Sequence, residues 1–62
     1  MNMNEILTLK EAAVRLKISV KTLRRRIASG KIQAFKEGGR LRLLVRQVEG
    51  YLQAVIEKGL AQ

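Results

Sequence analysis

The sequence has no cysteine, no histidine and no aspartate, and its only aromatic residues are one phenylalanine and one tyrosine. Without cysteine, neither a disulfide nor a thiolate metal site can support the fold. Without an imidazole base, Ser19 and Ser29 are not activated as nucleophiles, and five scattered glutamates supply no metal-ligand cluster. We therefore expect no enzymatic activity, no catalytic residue, no metal and no cofactor. The shortage of aromatic rings also argues against single-stranded nucleic acid, whose bases stack on such rings.

Long hydrophobic runs are also missing. No apolar stretch approaches the length that spans a membrane, and residues 1–6 lack the basic and apolar regions of a signal peptide. We expect a cytoplasmic protein with no membrane partner and no small-molecule ligand. The 62 residues, of which 47% are hydrophobic, allow one domain with a small core. We assign residues 1–62 to that domain and expect residues 1–5 and 59–62 to be frayed.

Positive charge is abundant and unevenly distributed. Thirteen lysines and arginines outnumber five glutamates, which gives a formal net charge of +8, and twelve of the thirteen lie between Lys10 and Arg46. Basic charge gathered in one part of a small domain indicates nucleic-acid binding. A membrane surface attracts the same charge, but through a basic amphipathic helix with bulky anchors. A basic face that binds an acidic protein is the alternative outside nucleic acids.

A first helix is predicted from about Leu9 to Lys17. Thr8 and Glu11 have the spacing of a capping box, in which each side chain accepts a backbone N–H group at the helix start. Before it, the apolar residues 6–7 are expected to form a short extended segment. Two small residues on the inner face of the helix allow another helix to approach closely. That face is expected to consist of Leu9, Ala12, Ala13 and Leu16.

A second, strongly basic helix is predicted between Ser19 and Gly30. Ser19 is a suitable N-cap residue, and Gly30 suits the left-handed position after a helix end. The other faces of this helix carry cationic and hydroxyl side chains, which either contact a ligand or are simply solvated. Two short helices joined by a turn of about three residues form the helix-turn-helix pattern. The apolar stripe of the second helix consists of Val20, Leu23 and Ile27.

After the second helix, the hydrophobic period changes from helical to alternating. Residues 32–37 and 40–45 are β-prone runs around Gly38-Gly39, which predicts a β-hairpin. A glycine-rich phosphate loop would need a following helix and a Lys-Ser/Thr pair, which the sequence lacks here. A hairpin directly after a basic second helix is typical of a winged helix-turn-helix. The hairpin tip is flanked by Lys36, Arg40 and Arg42.

The last predicted element is a helix from about Arg46 to Lys58, ended by Gly59. Because this helix is not basic, we assign its apolar stripe mainly to core packing, with any excess left as a partner surface. That stripe consists of Val48, Leu52, Val55 and Ile56. The predicted fold class is mainly α with a β-hairpin: a winged helix-turn-helix with a two-stranded wing and a C-terminal helix.

Several short motifs occur together along residues 7–52. They are a Leu-Thr-x-x-Glu-Ala-Ala opening, Ile-Ser-x-x-Thr-Leu at the turn, Gly-Lys-Ile after the second helix, a Gly-Gly-Arg tip and a closing Val-Glu-x-Tyr-Leu. With these motifs the chain resembles the excisionase-type, MerR-like winged helix-turn-helix family. Two positions depart from that family. Arg26 stands where an apolar or aromatic residue is frequent, and Arg46-Gln47 stands where a Ser-Asp-like cap is common.

The resemblance implies a DNA-binding protein of a mobile element or prophage, associated with the nucleoid. Excisionases of this kind bind repeated sites on double-stranded DNA, bend it and direct an integrase toward excision. Small repressors and activators on the same domain regulate transcription, and they are the alternative. We favour excision because the chain offers little material for a dimer that reads a palindrome. Neighbouring copies on the DNA are expected to meet through Glu49, Gln53 and Glu57.

The expected DNA contacts lie on the second helix and the hairpin. With the apolar stripe buried, Arg25 lies about opposite it and is expected to read a base edge, preferably of guanine. Arg24 and Arg26 are expected to bind backbone phosphates. The whole expected set is Ser19, Lys21, Thr22, Arg24, Arg25, Arg26, Ser29, Lys36, Arg40 and Arg42.

Overall fold

The computed structural model describes residues 2–60. Residue 1 and residues 61–62, which were expected to be frayed, lie outside the described part of the chain. The predicted winged helix-turn-helix is confirmed, since a basic helix follows a three-residue turn and precedes a β-hairpin and a last helix. The elements in chain order are β1 (Ile6–Thr8), α1 (Leu9–Leu16), α2 (Val20–Ala28), β2 (Phe35–Glu37), β3 (Arg40–Leu44) and α3 (Val45–Leu60).

Helix α1 begins with the predicted capping box. Thr8 Oγ1 accepts the N–H of Glu11 at 3.1 Å, and the Glu11 carboxylate accepts the N–H of Thr8 at 2.8 Å. Hydrogen bonding from the Thr8 backbone, and then from its side chain, lowers the pKa of Glu11 below its ordinary value. The helix ends at Lys17, whose φ of 57° is left-handed. Both ends therefore match the prediction to within one residue.

Helix α2 also has the predicted start and end. Ser19 Oγ accepts the N–H of Thr22 at 3.0 Å, and the helix is capped at its other end by Ser29. Gly30 follows with a φ of 79°, a conformation that glycine adopts without steric cost. Local sequence signals are therefore enough to delimit this helix.

The sheet has three strands, whereas the sequence predicted a two-stranded hairpin. Its order is β1-β3-β2, with both pairs antiparallel. The extended segment before α1 is β1, which pairs Ile6 with Leu44 and Thr8 with Arg42. This pairing was not predicted, because a three-residue strand has no periodicity of its own and its partner is distant in the chain.

The hairpin turn itself is as predicted, with positive φ values of 58° at Gly38 and 80° at Gly39. Two consecutive positive φ angles suit the right-handed twist of the strands that they join. The first predicted run, residues 32–37, is extended only from Phe35 onward. The reason is that Ile32 turns into the core, where only 3% of its surface is exposed.

A small core lies between the three helices and the inner face of the sheet. Strands β1 and β3 and the three helices each contribute one or two buried side chains, the loop after α2 contributes Ile32, and β2 contributes none. The two buried alanines of α1 were predicted for this inner face. The core consists of Leu7, Ala12, Ala13, Leu23, Ile32, Leu43, Val45 and Val48.

Helix α3 starts without a serine or aspartate cap, and its first N–H groups bind acceptors outside the helix. The carbonyl oxygens of Glu5 and Met3 accept the N–H groups of Val45 and Arg46 at 3.0 and 2.9 Å. Gln47 Oε1 reaches back to the backbone N–H that precedes the helix, at 2.8 Å. Helix starts leave such N–H groups without intrahelical partners, and here the N-terminal segment satisfies them.

Two predictions about the ends of the chain need correction, and the core role of the α3 stripe holds only in part. Residues 2–5, expected to be frayed, form a turn that is hydrogen-bonded to the start of α3. Gly59, expected to end the last helix, lies within it. The stripe of α3 is buried only near its start, because the small core does not reach further. Val55 and Ile56 are each 46% exposed. They form the excess apolar surface that was expected to contact a partner.

Candidate nucleic-acid interface

The second helix presents a cationic face to solvent. Leu23 is fully buried, whereas Lys21, Arg24 and Arg25 are exposed. At about 100° per residue, Arg25 lies roughly opposite Leu23. The structure therefore places Arg25 on the exposed side of α2, away from the buried Leu23, where the sequence predicted it. Its guanidinium presents several N–H donors in one plane, a shape suited to the acceptor edge of guanine.

The hydroxyl groups predicted to contact DNA are engaged within the protein. Ser19 Oγ donates to Thr22 Oγ1 at 3.0 Å, in addition to accepting the Thr22 N–H. Ser29 Oγ donates to the carbonyl oxygen of Arg26 at 3.1 Å. Ser19 and Ser29 thus stabilise the two ends of α2, and the cationic residues between them carry its exposed hydrogen-bonding surface.

Arg26 points in a different direction from Arg25. It is half-buried, its Nη1 donates to Tyr51 Oη on α3 at 2.9 Å, and its guanidinium carbon lies 6.0 Å from the centre of the Tyr51 ring. The aromatic ring and the hydroxyl explain how an arginine occupies a position where the resembling family often has an apolar residue. The structure does not bring Arg26 together with the other predicted phosphate contacts.

The hairpin carries three predicted contact residues with two different environments. Lys36 and Arg40 are exposed beside the glycine turn. Arg42 is half-buried, with its Nε 3.8 Å from the Glu37 carboxylate and its Nη1 donating to the carbonyl oxygen of Leu41 at 3.3 Å. Glu37 partly neutralises Arg42, so Lys36 and Arg40 carry the fuller charge of the wing.

A groove of about 800 Å³ lies between the start of α1, the N-terminal half of α2 and the hairpin. We call it the wing groove. None of the described residues that line it is acidic, so a polyanion in this groove meets only cations, hydroxyl and apolar groups. Lys10 was missed by sequence reasoning, because only the tertiary fold brings the first turn of α1 next to the hairpin. The cationic lining residues are Lys10, Arg24, Lys36, Arg40 and Arg42.

A family model described as a helix-turn-helix domain matches residues 6–55, which run from β1 into the second half of α3. The chain belongs to the helix-turn-helix domain family. It is a DNA-binding helix-turn-helix protein, and the match is consistent with the excisionase-type resemblance of its motifs. No curated protein and no solved structure matches the chain.

Within residues 2–60, no group of three or more metal-ligating side chains is placed to hold a metal ion. Among the helices of that range, none is both long and apolar enough to cross a membrane. The basic surface of α2 and the wing groove are the features that bear on DNA binding.

Proposed function

We propose that this helix-turn-helix protein is an excision factor that binds double-stranded DNA at specific sites, bends it and directs an integrase toward excision. The observation that carries the proposal is the wing groove, where cations from α1, α2 and the hairpin converge beside the exposed face of α2. That arrangement matches a duplex, in which a groove with readable base edges runs beside a line of phosphates. The proposal includes association with the nucleoid.

In the proposed binding mode, α2 lies in the major groove and Arg25 reads a base edge. Lys21 lies on the same exposed surface of α2, four residues before Arg25, and its side chain reaches bases or phosphates. The wing groove holds a backbone segment through Arg24 and Arg40, and the hairpin tip extends along the phosphates or into the minor groove. Phosphate contacts fix the position of the protein, whereas the base contact supplies specificity.

Cooperative binding of several copies is the proposed step between binding and bending. A single small interface binds weakly, so tandem copies raise occupancy, and phosphate neutralisation on one side of the duplex favours a bend. Exposed Gln53 and Glu57, joined at 3.3 Å on α3, are available for the basic face of a neighbouring copy. Glu49, expected to join them, instead lies 3.9 Å from Arg15 of its own chain.

Two substitutions test the binding mode. Arg25→Ala should weaken binding to the specific site by about 1–3 kcal/mol and have little effect on random duplex DNA. Arg40→Ala should weaken binding to the specific site and to random duplex DNA by the same factor. It should also reduce the magnitude of the slope of log K against log salt by about one unit. Both are measured by titration of labelled duplexes at several salt concentrations. If random duplex DNA is not bound even at low salt, a protein-interaction role for the basic face replaces this proposal.

The excision step needs its own measurement. DNA bending, footprinting and recombination by the cognate integrase should show several adjacent protected sites, a bent duplex and a switch toward excision. Arg25→Ala should abolish all three together at protein concentrations where the wild type acts. Protection of one palindrome on straight DNA, with no effect on recombination, would assign the protein to transcriptional regulation instead.

A small transcriptional regulator of a mobile element is the second candidate. The observation that favours it is the exposed apolar pair Val55 and Ile56 at the end of α3, which suits pairing with a second copy. A two-fold dimer reads a palindrome, whereas tandem copies read direct repeats. Sedimentation of the free protein separates the two: a stable dimer that Val55→Ser disrupts favours the regulator, and a monomer favours the excision factor.

A further inference from the structure

A second basic groove, of about 550 Å³, lies beyond the C-terminal end of α2 and shares no lining residue with the wing groove. It runs between the loop that follows α2 and the first half of α3, and we call it the α3 groove. Lys31 and Arg46, both exposed, line it together with Gly50 and Tyr51. None of the described residues that line this groove is acidic. Like the wing groove, it therefore offers a polyanion positive charge without an opposing carboxylate.

Tyr51 connects the α3 groove to a third cation, Arg26 on α2. Its hydroxyl oxygen accepts the hydrogen bond from Arg26 at 2.9 Å. Since a tyrosine hydroxyl both donates and accepts, its own O–H is left to donate to an acceptor. The N–H of Lys31 also donates to the carbonyl oxygen of Arg26 at 2.9 Å, which ties the loop to the end of α2. The groove is thus built from groups that hold one another in place.

Gly50 is an unexpected residue for this position in a helix. Glycine is a poor helix former, and a helix gains from it only where packing or an approaching group needs the space. A methyl group added at Gly50 would meet no atom of the protein within 4 Å. Internal packing therefore does not require glycine here, and the open space faces the α3 groove.

The two basic grooves flank opposite ends of α2. The wing groove includes Val20 and Arg24 from its N-terminal half, and the α3 groove includes Lys31 from the loop after its C-terminal end. A nine-residue helix is about 13.5 Å long, close to the roughly 12 Å width of the major groove of DNA. With α2 in that groove, the phosphates of the two strands border it on both sides.

We infer that the α3 groove binds phosphates of the DNA strand on the side of the major groove away from the wing. Lys31 and Arg46 supply the charge, the Tyr51 hydroxyl donates a hydrogen bond, and the missing side chain at Gly50 lets the backbone approach α3. This inference rests on the proposed placement of α2 in the major groove and does not depend on a role in excision.

Removal of the two groove cations is the first test. Lys31→Ala and Arg46→Ala should each lower the salt slope by about one unit, and weaken binding to specific and random duplexes alike. Lys58→Ala is the matched control, because it removes an exposed charge near the end of α3 that does not line this groove. The inference would be overturned if the salt slope stayed unchanged in Lys31→Ala and Arg46→Ala, or if Lys58→Ala lowered it by the same amount.

Gly50→Ala provides a test in which stability and binding move in opposite directions. Alanine in place of a helical glycine should raise Tm by a few degrees. The added methyl group should nevertheless weaken DNA binding several-fold, because it stands where the backbone approaches. A higher Tm with unchanged DNA affinity would show that no backbone comes close to α3 there, and would overturn the inference.

Phosphate-ethylation interference separates failure of this inference from failure of the proposed function. In the wild type, interference should occur on both strands across one major groove, and Lys31→Ala should remove it on one side only. Interference confined to the wing side overturns the inference and leaves the proposed binding mode intact. If no specific complex forms, the proposed function fails as well.

Discussion

Helices α1 and α2 carry their own starting signals, whereas α3 takes its start from another part of the chain. Thr8 and Ser19 each cap a helix that begins at the next residue. The first N–H groups of α3 are instead accepted by the carbonyl oxygens of Met3 and Glu5. The helix-turn-helix is therefore specified locally, and the last helix is specified by the tertiary fold. Substitutions in the two regions should differ in how far their effects spread.

The largest effect is expected from Leu7→Ala. Leu7 is 4% exposed and lies on β1, which positions the residues that cap α3. Its truncation should lower the free energy of unfolding by about 2–5 kcal/mol, through lost burial and a residual cavity. In a domain of this size we expect loss of all the helices together, measured by circular dichroism during urea unfolding.

Ile6→Ala is the control for Leu7→Ala, because Ile6 is the preceding residue on β1 but is 46% exposed. It should cost much less, since little apolar surface is returned to water. If the two variants lose the same free energy of unfolding, burial of the Leu7 side chain is not what stabilises β1 and, through it, the start of α3.

A smaller and more local effect is expected from Ser19→Ala. Loss of this cap should lower the free energy of unfolding by about 1 kcal/mol, because the N–H of Thr22 loses its acceptor. Ser19→Asn, which retains a side-chain acceptor, should restore most of the loss. Hydrogen exchange should increase mainly at the start of α2, and an equal increase throughout α3 would contradict the local specification of this helix.

Gln47→Ala should cost less than Ser19→Ala, about 0.5–1 kcal/mol. It removes one acceptor at the start of α3, and the carbonyl oxygens of Met3 and Glu5 remain in place. Gln47→Glu keeps an acceptor oxygen and is the matched variant in the same unfolding measurement. If Gln47→Ala costs more than Ser19→Ala, the side chain and not the N-terminal segment determines where α3 starts.

The smallest effect concerns the titration of Glu11. Because its pKa is lowered in the folded protein, folding favours the ionised carboxylate. That contribution to stability is complete above the ordinary pKa of glutamate, and is lost as the pH falls through the lowered value. Glu11→Gln keeps an acceptor oxygen but does not titrate. The stability difference between wild type and variant should shrink in acid, and a difference that grows there would contradict the capping box.

The local parts of the fold were predictable from the sequence for a physical reason. Capping by Thr8 and Ser19, and the positive φ angles at Gly30 and at the hairpin turn, depend on residues a few positions apart. The third strand and the start of α3 depend on contacts between residues about forty positions apart, such as Met3 with Arg46. No local pattern encodes those contacts, so fraying was predicted where the chain is hydrogen-bonded.

The candidate site divides in the same way. The exposed face of α2, with Arg25 opposite the apolar stripe, follows from helical spacing alone. The direction of Arg26 does not, because Tyr51 on α3 determines it. Lys10 and Arg46 line grooves only after tertiary folding brings their helices beside the hairpin and the loop. The cations of α2 and the wing were therefore predictable from the sequence, and the cations that other elements contribute were not.

The central position of β3 in the sheet implies an order of folding. Its hairpin with β2 closes through a two-residue turn, an event of about 1–10 μs. Its pairing with β1 joins Ile6 to Leu44 across most of the chain, and therefore carries a larger loss of chain entropy. The hairpin should form early and the β1 pairing late. Since that late step also delivers the acceptors for α3, the last helix gains its full stability only when the N-terminal segment reaches the start of α3.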